Sequence, residues 1–216
     1  MNTIERKALG DLLRSELVIA VLRGNDPDSV YEDARAIIEG GLHTIEITLT
    51  VPGAVDVIQR LVESTDAIVG AGSVRTATDA NRCLNAGAQF IVSPTCSSDV
   101  ICRVIERNAV VIPGAMTPTE VLKAWELGAD FVKIFPAARL GPEFLSDLLG
   151  PLPEIPLVPT GGITDHNMIA YLDAGAALVC VGSWLTAGDY KETLRRSQLI
   201  KTLVEDYKEC LRVHSP

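Results

Sequence analysis

The sequence predicts an α/β protein built as a closed (β/α)8 barrel, and two observations support that expectation. First, eight short runs rich in apolar and β-branched residues alternate with amphipathic segments, the pattern of parallel strands covered by helices. Second, the runs begin roughly 20 to 26 residues apart, about the length of one strand, one helix and two short loops. The predicted strands are 18–23, 44–50, 67–74, 90–94, 110–115, 131–137, 156–162 and 178–185.

Residues that end and begin helices fall between these runs. Four segments, EGGLHTIEIT, NAGAQFIVSP, ELGADFVKIF and DAGAALVCVG, each place a Gly shortly before a strand, as expected of the left-handed residue that ends a helix. Helix starts are predicted at Asp26, at Thr117 and at either Thr164 or Asp165, because their side chains suit the N-cap position.

One domain over residues 1–216 accounts for this organisation. The alternative architecture is an open, doubly wound sheet, but the segment VLRGNDPDS after the first run lacks the G-x-G-x-x-G turn of the dinucleotide-binding version. We expect a leading helix over 1–17, eight strand–helix units over 18–185 and a closing helix over 189–213.

The composition narrows the classes of function. The formal net charge of −9 argues against nonspecific binding to nucleic acid or to an anionic membrane, because both require clustered Lys and Arg. We expect no signal peptide in the charged N-terminal segment, and no apolar run approaches the roughly 20 residues of a membrane span. The five cysteines form no C-x-x-C pair and the three histidines are widely spaced, so no standard zinc motif is present. These features predict a cytoplasmic protein without a metal.

Three ionisable residues stand out on the predicted strands: Arg23 ends the first, Glu46 lies within the second and Lys133 within the sixth. In such a barrel, catalytic residues come from the C-terminal ends of the strands. Lys133 is either a structural lysine, which reaches solvent or pairs with Glu46, or a Schiff-base nucleophile. Desolvation and a nearby cation such as Arg23 favour the neutral amine that attacks a carbonyl. Glu46 is correspondingly a structural partner or a general acid/base, and the two residues together favour chemistry.

Two adjacent strand ends carry small residues with backbone donors. The segment VPTGGITDHN places Gly161 and Gly162 between a strand and a helix, and the next run contains Gly182 and Ser183. Backbone N–H groups at such positions bind anions, and a phosphate site near strands 7 and 8 recurs in these barrels. The glycines alone could simply turn the chain, but the same chemistry at two neighbouring strand ends favours a phosphate site.

In combination, these motifs resemble the 2-keto-3-deoxy-6-phosphogluconate (KDPG) aldolase family, which includes 4-hydroxy-2-oxoglutarate (KHG) and 2-keto-3-deoxy-6-phosphogalactonate aldolases. The matching stretches, in family order over nearly the whole chain, are IEITLTVPGAVDVI, IVGAGSV, GAQFIVSP, IPGAMTPTE, VKIFPA, GP, VPTGGI and VGSWL. The resemblance implies a class I aldolase that cleaves KDPG, or a close 2-keto-3-deoxy sugar acid, to pyruvate and glyceraldehyde 3-phosphate. It also implies a homotrimer without a cofactor, whose partners are a small keto acid and an aldehyde.

Carried over to this chain, the resemblance implies that Lys133 forms the Schiff base with the 2-keto carbon and that Glu46 is the general acid/base. The other implied contacts are Ser73 near the pyruvyl carboxylate, Pro94 and Phe135 against the pyruvyl methyl, Thr160 at the substrate's hydroxyl end, and Gly161, Gly162, Gly182 and Ser183 at the phosphate.

One departure from the family concerns the substrate carboxylate. Some members have Arg four residues after the strand-2 Glu, where this chain has Thr50. In another branch the strand-1 motif AVLR supplies the cation, so Arg23 is expected to bind the carboxylate with its guanidinium fork, and Thr50 to line the substrate site. Thr95 and Cys96 occupy a loop that varies among relatives, and their role stays open.

Several other activities compete with this one. Within the family, cleavage of 4-hydroxy-2-oxoglutarate or of the phosphogalactonate derivative stays open, as does the need for a phosphate. Metal-dependent pyruvate aldolases and barrel epimerases of ribulose phosphate need carboxylate or His clusters, which these strands lack. A non-catalytic sugar-phosphate-binding barrel would use Arg23 and the glycine pairs but would have no need of Lys133 with Glu46.

Overall fold

The structure is a computed structural model that describes residues 5–214. Over that range the structure has nine β-strands and nine α-helices, which alternate except at one place where two strands are consecutive, and one 3-10 turn at Ala137–Arg139. The strands are β1 (Val18–Leu22), β2 (Thr44–Thr48), β3 (Ile68–Gly72), β4 (Phe90–Val92), β5 (Val110–Ile112), β6 (Gly114–Ala115), β7 (Val132–Ile134), β8 (Leu157–Pro159) and β9 (Val179–Val181). The helices are α1 (Arg6–Glu16), α2 (Pro27–Glu39), α3 (Ala54–Ser64), α4 (Ala77–Asn85), α5 (Ser98–Glu106), α6 (Pro118–Glu126), α7 (Pro142–Leu149), α8 (Met168–Asp173) and α9 (Tyr190–His214).

The strands form two sheets in which every pair is parallel. Six strands form a curled sheet in the order β5-β4-β3-β2-β1-β9, and three form a sheet in the order β6-β7-β8. A parallel bridge between Thr160 and Cys180 joins the end of β8 to β9. The expectation of an α/β fold with a parallel sheet is therefore confirmed.

The prediction of one strand over 110–115 is wrong, because Pro113 divides this run into β5 and β6. Proline has no N–H to donate to a strand ladder. On one side β5 pairs with β4, and on the other β6 pairs with β7, where the Lys133 N–H donates to the Pro113 carbonyl at 2.8 Å. The division gives nine strands over the described range in place of the eight expected.

Successive strand residues belong to two different apolar clusters. In β1, Ala20 packs in a cluster shared with the helices, whereas Ile19 and Val21 pack in a second, inner cluster on the opposite face. This alternation is the normal period of two in a β-strand. Leu9 and Leu13 of α1 join the inner cluster, so the leading helix packs against the sheet interior.

Local signals at helix ends agree with two of the three predicted N-caps. The Asp26 carboxylate accepts from the Ser29 N–H at 2.9 Å, and Thr117 forms a capping box with Glu120. The predicted C-terminal glycines all adopt a left-handed conformation, with φ of 90° at Gly41, 96° at Gly87, 90° at Gly128 and 97° at Gly175.

The third predicted N-cap, at Thr164 or Asp165, is wrong. Helix α8 begins at Met168, and Asn167 takes the N-cap position. The Asn167 side chain accepts from the Thr164 N–H at 2.8 Å, which folds this segment into a turn before the helix starts. A side chain that bonds nearby backbone competes with helix formation in this way.

Candidate active site

Strand register points Glu46 and Lys133 into the same apolar interior. Glu46 is in register with Val21 of β1, and Lys133 is in register with Val158 of β8. Both valines belong to the inner apolar cluster. Because residues in register on neighbouring parallel strands point to the same face, the carboxylate and the amine both enter the inner cluster.

Glu46 is fully buried, and neither of its carboxylate oxygens has a hydrogen-bond partner among residues 5–214. Burial raises the pKa of this carboxyl group above its usual value, while the charges of Lys133 and Arg23 oppose the rise. The carboxyl group fits because residue 72 is glycine: a Cβ at Gly72 would lie 1.8 Å from Glu46 Oε1. A carboxyl group with a raised pKa and no fixed partner is suited to proton transfer near neutral pH.

Lys133 is 3% exposed and lies in β7 between Val132 and Ile134, which are fully buried. Its Nζ lies 5.4 Å from the centroid of the Phe135 ring. The sequence left open a structural ion pair between Lys133 and Glu46, and neither Glu46 oxygen is hydrogen-bonded to a described residue. The Lys133 charge still acts on the Glu46 carboxyl group and opposes the rise of its pKa. The catalytic role of Lys133 therefore stays a prediction.

A cavity of about 290 Å³ opens where β1, β7, β8 and β9 end. It brings together seven of the predicted site residues: Arg23, Phe135, Thr160, Gly161, Gly162, Gly182 and Ser183. Val21 and Cys180 line the same cavity and belong to the inner cluster. The cavity therefore borders the interior that Glu46 and Lys133 enter. We call it the β8–β9 cavity.

Backbone geometry gives this cavity several N–H donors. Gly161 and Gly162 have φ of 93° and 75°, in the left-handed region that side chains disfavour. Nothing in the described part of the chain accepts a hydrogen bond from the backbone N–H of Gly161, Gly162 or Ser183. The carbonyls of Thr160 and Gly161, by contrast, accept from Ala137 and Ala138 at 2.8 and 3.0 Å. Because the carbonyls are already hydrogen-bonded to other residues, the free N–H groups can bind an anion.

A second cavity, of about 630 Å³, lies at the ends of β2, β3 and β4 and brings together Thr50, Ser73 and Pro94. The Thr50 hydroxyl lies 2.8 Å from the Thr48 hydroxyl, and Ser73 has a left-handed φ of 58°. The structure thus places Ser73 and Arg23, both predicted near the substrate carboxylate, in different cavities.

Sequence reasoning missed two residues that shape this centre, Gly72 and Cys180. Burial raises the pKa of the Cys180 thiol to about 12, the Glu46 carboxylate adds to the rise, and Lys133 opposes it. The alternation of β9, where Cys180 stands between two buried valines, is the signal that could have placed it on the inner face. The Glu46 carboxyl group therefore lies against Gly72, and its charge also acts on the Cys180 thiol.

The loop after β4 holds the two residues of open role. Burial raises the pKa of the half-buried Cys96 thiol, and the Thr95 N–H donates to the Ser93 hydroxyl at 3.3 Å. Neither residue lines the two cavities described above.

The described residues show neither a metal cluster nor a membrane span. Between residues 5 and 214, no three His, Cys, Asp or Glu side chains cluster closely enough to hold a metal ion. No helix in that range combines the length and apolar character that crossing a bilayer requires.

Comparison with protein families finds a matching family model, the aldolase model for KDPG and KHG aldolase, over residues 9–200. The 2-dehydro-3-deoxy-6-phosphogalactonate aldolase of Escherichia coli (strain K12) is 35% identical over 199 residues, covering 90% of this chain and 96% of that protein. The 2-dehydro-3-deoxy-phosphogluconate aldolase of Treponema pallidum (strain Nichols) is 36% identical over 173 residues, covering 76% and 82%.

Solved structures of aldolases of these two kinds also match this chain. A native KDPGal structure matches with a TM-score of 0.82 at 32% identity, covering 90% of this chain and 96% of the other. The KDPG aldolase of Legionella pneumophila, solved with pyruvate captured at low pH as a covalent carbinolamine intermediate, matches with a TM-score of 0.78 at 29% identity, covering 90% and 95%.

Proposed function

Because the chain belongs to the KDPG and KHG aldolase family, we propose that it is a class I aldolase acting through a Schiff base on Lys133. Its substrate is 2-keto-3-deoxy-6-phosphogluconate or a close 2-keto-3-deoxy sugar acid, and its products are pyruvate and glyceraldehyde 3-phosphate. The observation that carries the proposal is a buried lysine that shares its apolar interior with a fully buried, unpartnered Glu46. A carboxylate kept for structure alone would be hydrogen-bonded, since an unpaired buried charge is costly.

The first half of the reaction forms the Schiff base. The neutral amine of Lys133 attacks C2 of the keto acid, and Glu46 carries a proton from the nitrogen to the oxygen to give the carbinolamine. Glu46 then protonates the C2 hydroxyl, water departs, and an iminium remains. The raised pKa of the Glu46 carboxyl group supports both directions of proton transfer.

The second half breaks the carbon–carbon bond. The Glu46 carboxylate takes the proton of the C4 hydroxyl, directly or through a water molecule, and the C3–C4 electron pair moves into the iminium. The aldehyde leaves and an enamine of pyruvate stays on Lys133. Glu46 then returns the proton it took from the C4 hydroxyl to C3 of the enamine, which regenerates the iminium. Water adds at C2, and the carbinolamine collapses to release pyruvate and restore the amine. The iminium is the electron sink for the cleavage.

The cavities support a division of the substrate contacts. In the β8–β9 cavity, the N–H groups of Gly161, Gly162, Gly182 and Ser183 and the Ser183 hydroxyl hold the phosphate, while Thr160 contacts the hydroxylated chain. Arg23 lines the same cavity and its charge acts on Glu46, which supports its predicted contact with the pyruvyl carboxylate. Phe135, close to the Lys133 amine, walls the pyruvyl methyl. From the second cavity, the Ser73 hydroxyl assists the carboxylate, and Thr50 and Pro94 complete the wall.

The architecture and assembly are inferred in the same way. We infer that the two sheets form one closed (β/α)8 barrel in a single domain, supported by the Thr160–Cys180 bridge and by the continuity of β5 and β6 across Pro113. The family resemblance leads us to expect a cytoplasmic homotrimer, and light scattering coupled to gel filtration measures the assembly.

Borohydride trapping tests the proposed mechanism. The folded protein is incubated with pyruvate and reduced, and the adduct is mapped by mass spectrometry; we expect it on Lys133. The matched control is the exposed Lys123 of α6, which should carry none. Absence of the Lys133 adduct from the folded protein would overturn the mechanism and would favour a non-catalytic sugar-phosphate-binding barrel.

Glu46→Gln should slow cleavage by about 10²–10⁴-fold, and a loss of less than about tenfold would assign Glu46 a structural role.

A second candidate substrate is 2-keto-3-deoxy-6-phosphogalactonate, because a relative that matches over nearly its whole length carries that name. A panel of the two phosphorylated keto acids and 4-hydroxy-2-oxoglutarate, assayed for pyruvate release, ranks the candidates by kcat/KM.

A further inference from the structure

The segment between β9 and α9 is held by a side chain from α9. Arg196 donates from Nη1 to the backbone carbonyl of Trp184, and its guanidinium carbon lies 5.2 Å from the centroid of the Trp184 ring. The Arg196 side chain is 18% exposed. One residue therefore contacts both the backbone and the ring of Trp184.

Arg196 is itself held in position by Glu192, one turn earlier in α9. The Glu192 Oε1 atom accepts from Arg196 Nε at 2.8 Å, and the Glu192 N–H donates to Asp189 Oδ1 at 2.9 Å. Hydrogen bonds from Arg195 and Arg196 lower the pKa of the Glu192 carboxyl group to about 2. Glu192 therefore stays charged across the neutral range and keeps the Arg196 fork in a fixed orientation.

Trp184 follows directly after the predicted phosphate donors Gly182 and Ser183, and all three residues line the β8–β9 cavity. On the other side of Trp184, the buried Leu185 donates its N–H to the Gly182 carbonyl at 2.8 Å. The loop is thus fastened at Leu185 by the core and at Trp184 by Arg196. Ser183 lies between Gly182 and the fixed residue Trp184, and its backbone N–H has no acceptor in the described part of the chain.

We propose that Arg196 is a positioning residue for the phosphate end of the substrate. It does not line the cavity, so it does not contact the anion directly. By fixing the Trp184 carbonyl, Arg196 sets the peptide between Trp184 and Leu185, whose N–H donates to the Gly182 carbonyl. The Gly182 carbonyl belongs to the same peptide as the Ser183 N–H, so Arg196 also sets the direction in which the Ser183 N–H faces. This inference rests on the proposed function and assigns a residue to its phosphate site. The ligand group that this site would bind is a phosphate monoester at the far end of a keto acid.

Three variants separate the hydrogen bond from packing and charge. Arg196→Met keeps an unbranched stem against the Trp184 ring but cannot donate, and Arg196→Lys restores one donor and the charge. Arg195→Ala is the matched control, because Arg195 bonds the same Glu192 from the same helix without contacting Trp184.

The kinetic readout is a split between binding and chemistry. Arg196→Met should raise KM for the phosphorylated keto acid about tenfold, the usual scale for one hydrogen bond, with little change in kcat. Arg196→Lys should recover part of the loss, and Arg195→Ala should behave as wild type. Pyruvate has no phosphate, so the pyruvate concentration that half-saturates borohydride trapping on Lys133 should be the same in all three variants and in wild type.

A direct measure of the phosphate site uses Trp184 itself. The chain contains two tryptophans, so a Trp125→Phe background leaves Trp184 as the reporter for titration with inorganic phosphate. We expect phosphate to change Trp184 fluorescence in this background and in the Arg195→Ala variant, and to bind about tenfold more weakly in Arg196→Met.

Two results would overturn the inference and can be told apart. If wild type forms the pyruvate adduct and binds phosphate, but Arg196→Met matches Arg195→Ala in KM and in phosphate affinity, the role of Arg196 is wrong and the proposed function stands. If phosphate neither binds nor competes with substrate in wild type, the phosphate site and the role of Arg196 are both wrong. Absence of the Lys133 adduct, by contrast, bears on the aldolase mechanism alone.

Discussion

The substitution Gly72→Ala tests whether the position of the Glu46 carboxyl group controls the chemistry. A Cβ at position 72 would lie 1.8 Å from Glu46 Oε1 and 2.5 Å from Cδ, against the 3.4 Å at which ordinary contact begins. The oxygen must therefore move by at least 1.6 Å. Because neither oxygen has a hydrogen-bond partner, rotation of the side chain can absorb most of this movement.

The expected cost falls mainly on activity. Misplacement of a reacting group by about 1 Å can lower a rate about 10²-fold, so kcat for aldol cleavage should fall by at least that order. Crowding a packed core with one methyl group should lower the free energy of unfolding by about 1–3 kcal/mol. Gly10→Ala is the matched control: its Cβ would lie 4.0 Å from the nearest atom, of Phe131, and kcat should not change.

A double-mutant cycle with Glu46→Ala supplies the decisive assay. Removing the carboxyl group leaves space for the new methyl, so Gly72→Ala in that background should cause no further loss of kcat and should cost less than about 0.5 kcal/mol in unfolding by urea. If Gly72→Ala lowers kcat and stability by the same amount with and without Glu46, the two residues act independently and the reasoning is refuted.

Three further predictions follow from burial and charge. The native state holds the Glu46 proton to higher pH than the unfolded chain does, because burial raises the pKa of that carboxyl group. Wild-type stability should therefore fall as pH rises from the ordinary carboxyl pKa to the raised one, and Glu46→Gln should gain about 1.4 kcal/mol on wild type for each pH unit in that window. A difference in the free energy of unfolding by urea that does not change with pH would contradict this expectation. Arg23→Ala should raise the pyruvate concentration that half-saturates borohydride trapping by roughly 10–100-fold, the scale of a charged hydrogen bond, and near-normal affinity would show that Arg23 does not bind the carboxylate. Burial raises the pKa of the Cys83 thiol to about 11 and that of Cys180 to about 12, so both thiols should resist a thiol reagent until the protein is denatured. Labelling of either thiol in the native protein as fast as labelling of the exposed Cys102 would contradict this prediction.

Local patterns in the sequence were sufficient to predict most of the fold. Alternating apolar runs predicted the parallel strands, and Gly87 and Gly175 marked helix ends, because both signals depend on neighbours only a few residues away. The errors also have local causes. Pro113 interrupted a strand that apolar character alone would continue, and the Asn167 side chain delayed the start of α8.

The site was predicted as a set of residues but not as an arrangement. The family resemblance implied that Arg23 and Ser73 both lie near the substrate carboxylate; in the structure they line two different cavities, and their shared contact stays a prediction. Strand spacing says nothing about how far apart the ends of β1 and β3 lie once the sheet curls. Arg196 belongs to no sequence motif, because its partner Trp184 is brought close only by the turn between β9 and α9.

The sequence by itself determined which residue types stand at each strand end, since strand period, helix caps and glycine turns are short-range properties. Only the tertiary structure decided that Glu46 is buried without a partner and that Gly72 makes room for it. Desolvation depends on how completely residues distant in the chain exclude water, and Glu46 and Lys133 share one interior only because β2 and β7 are placed around the same apolar cluster.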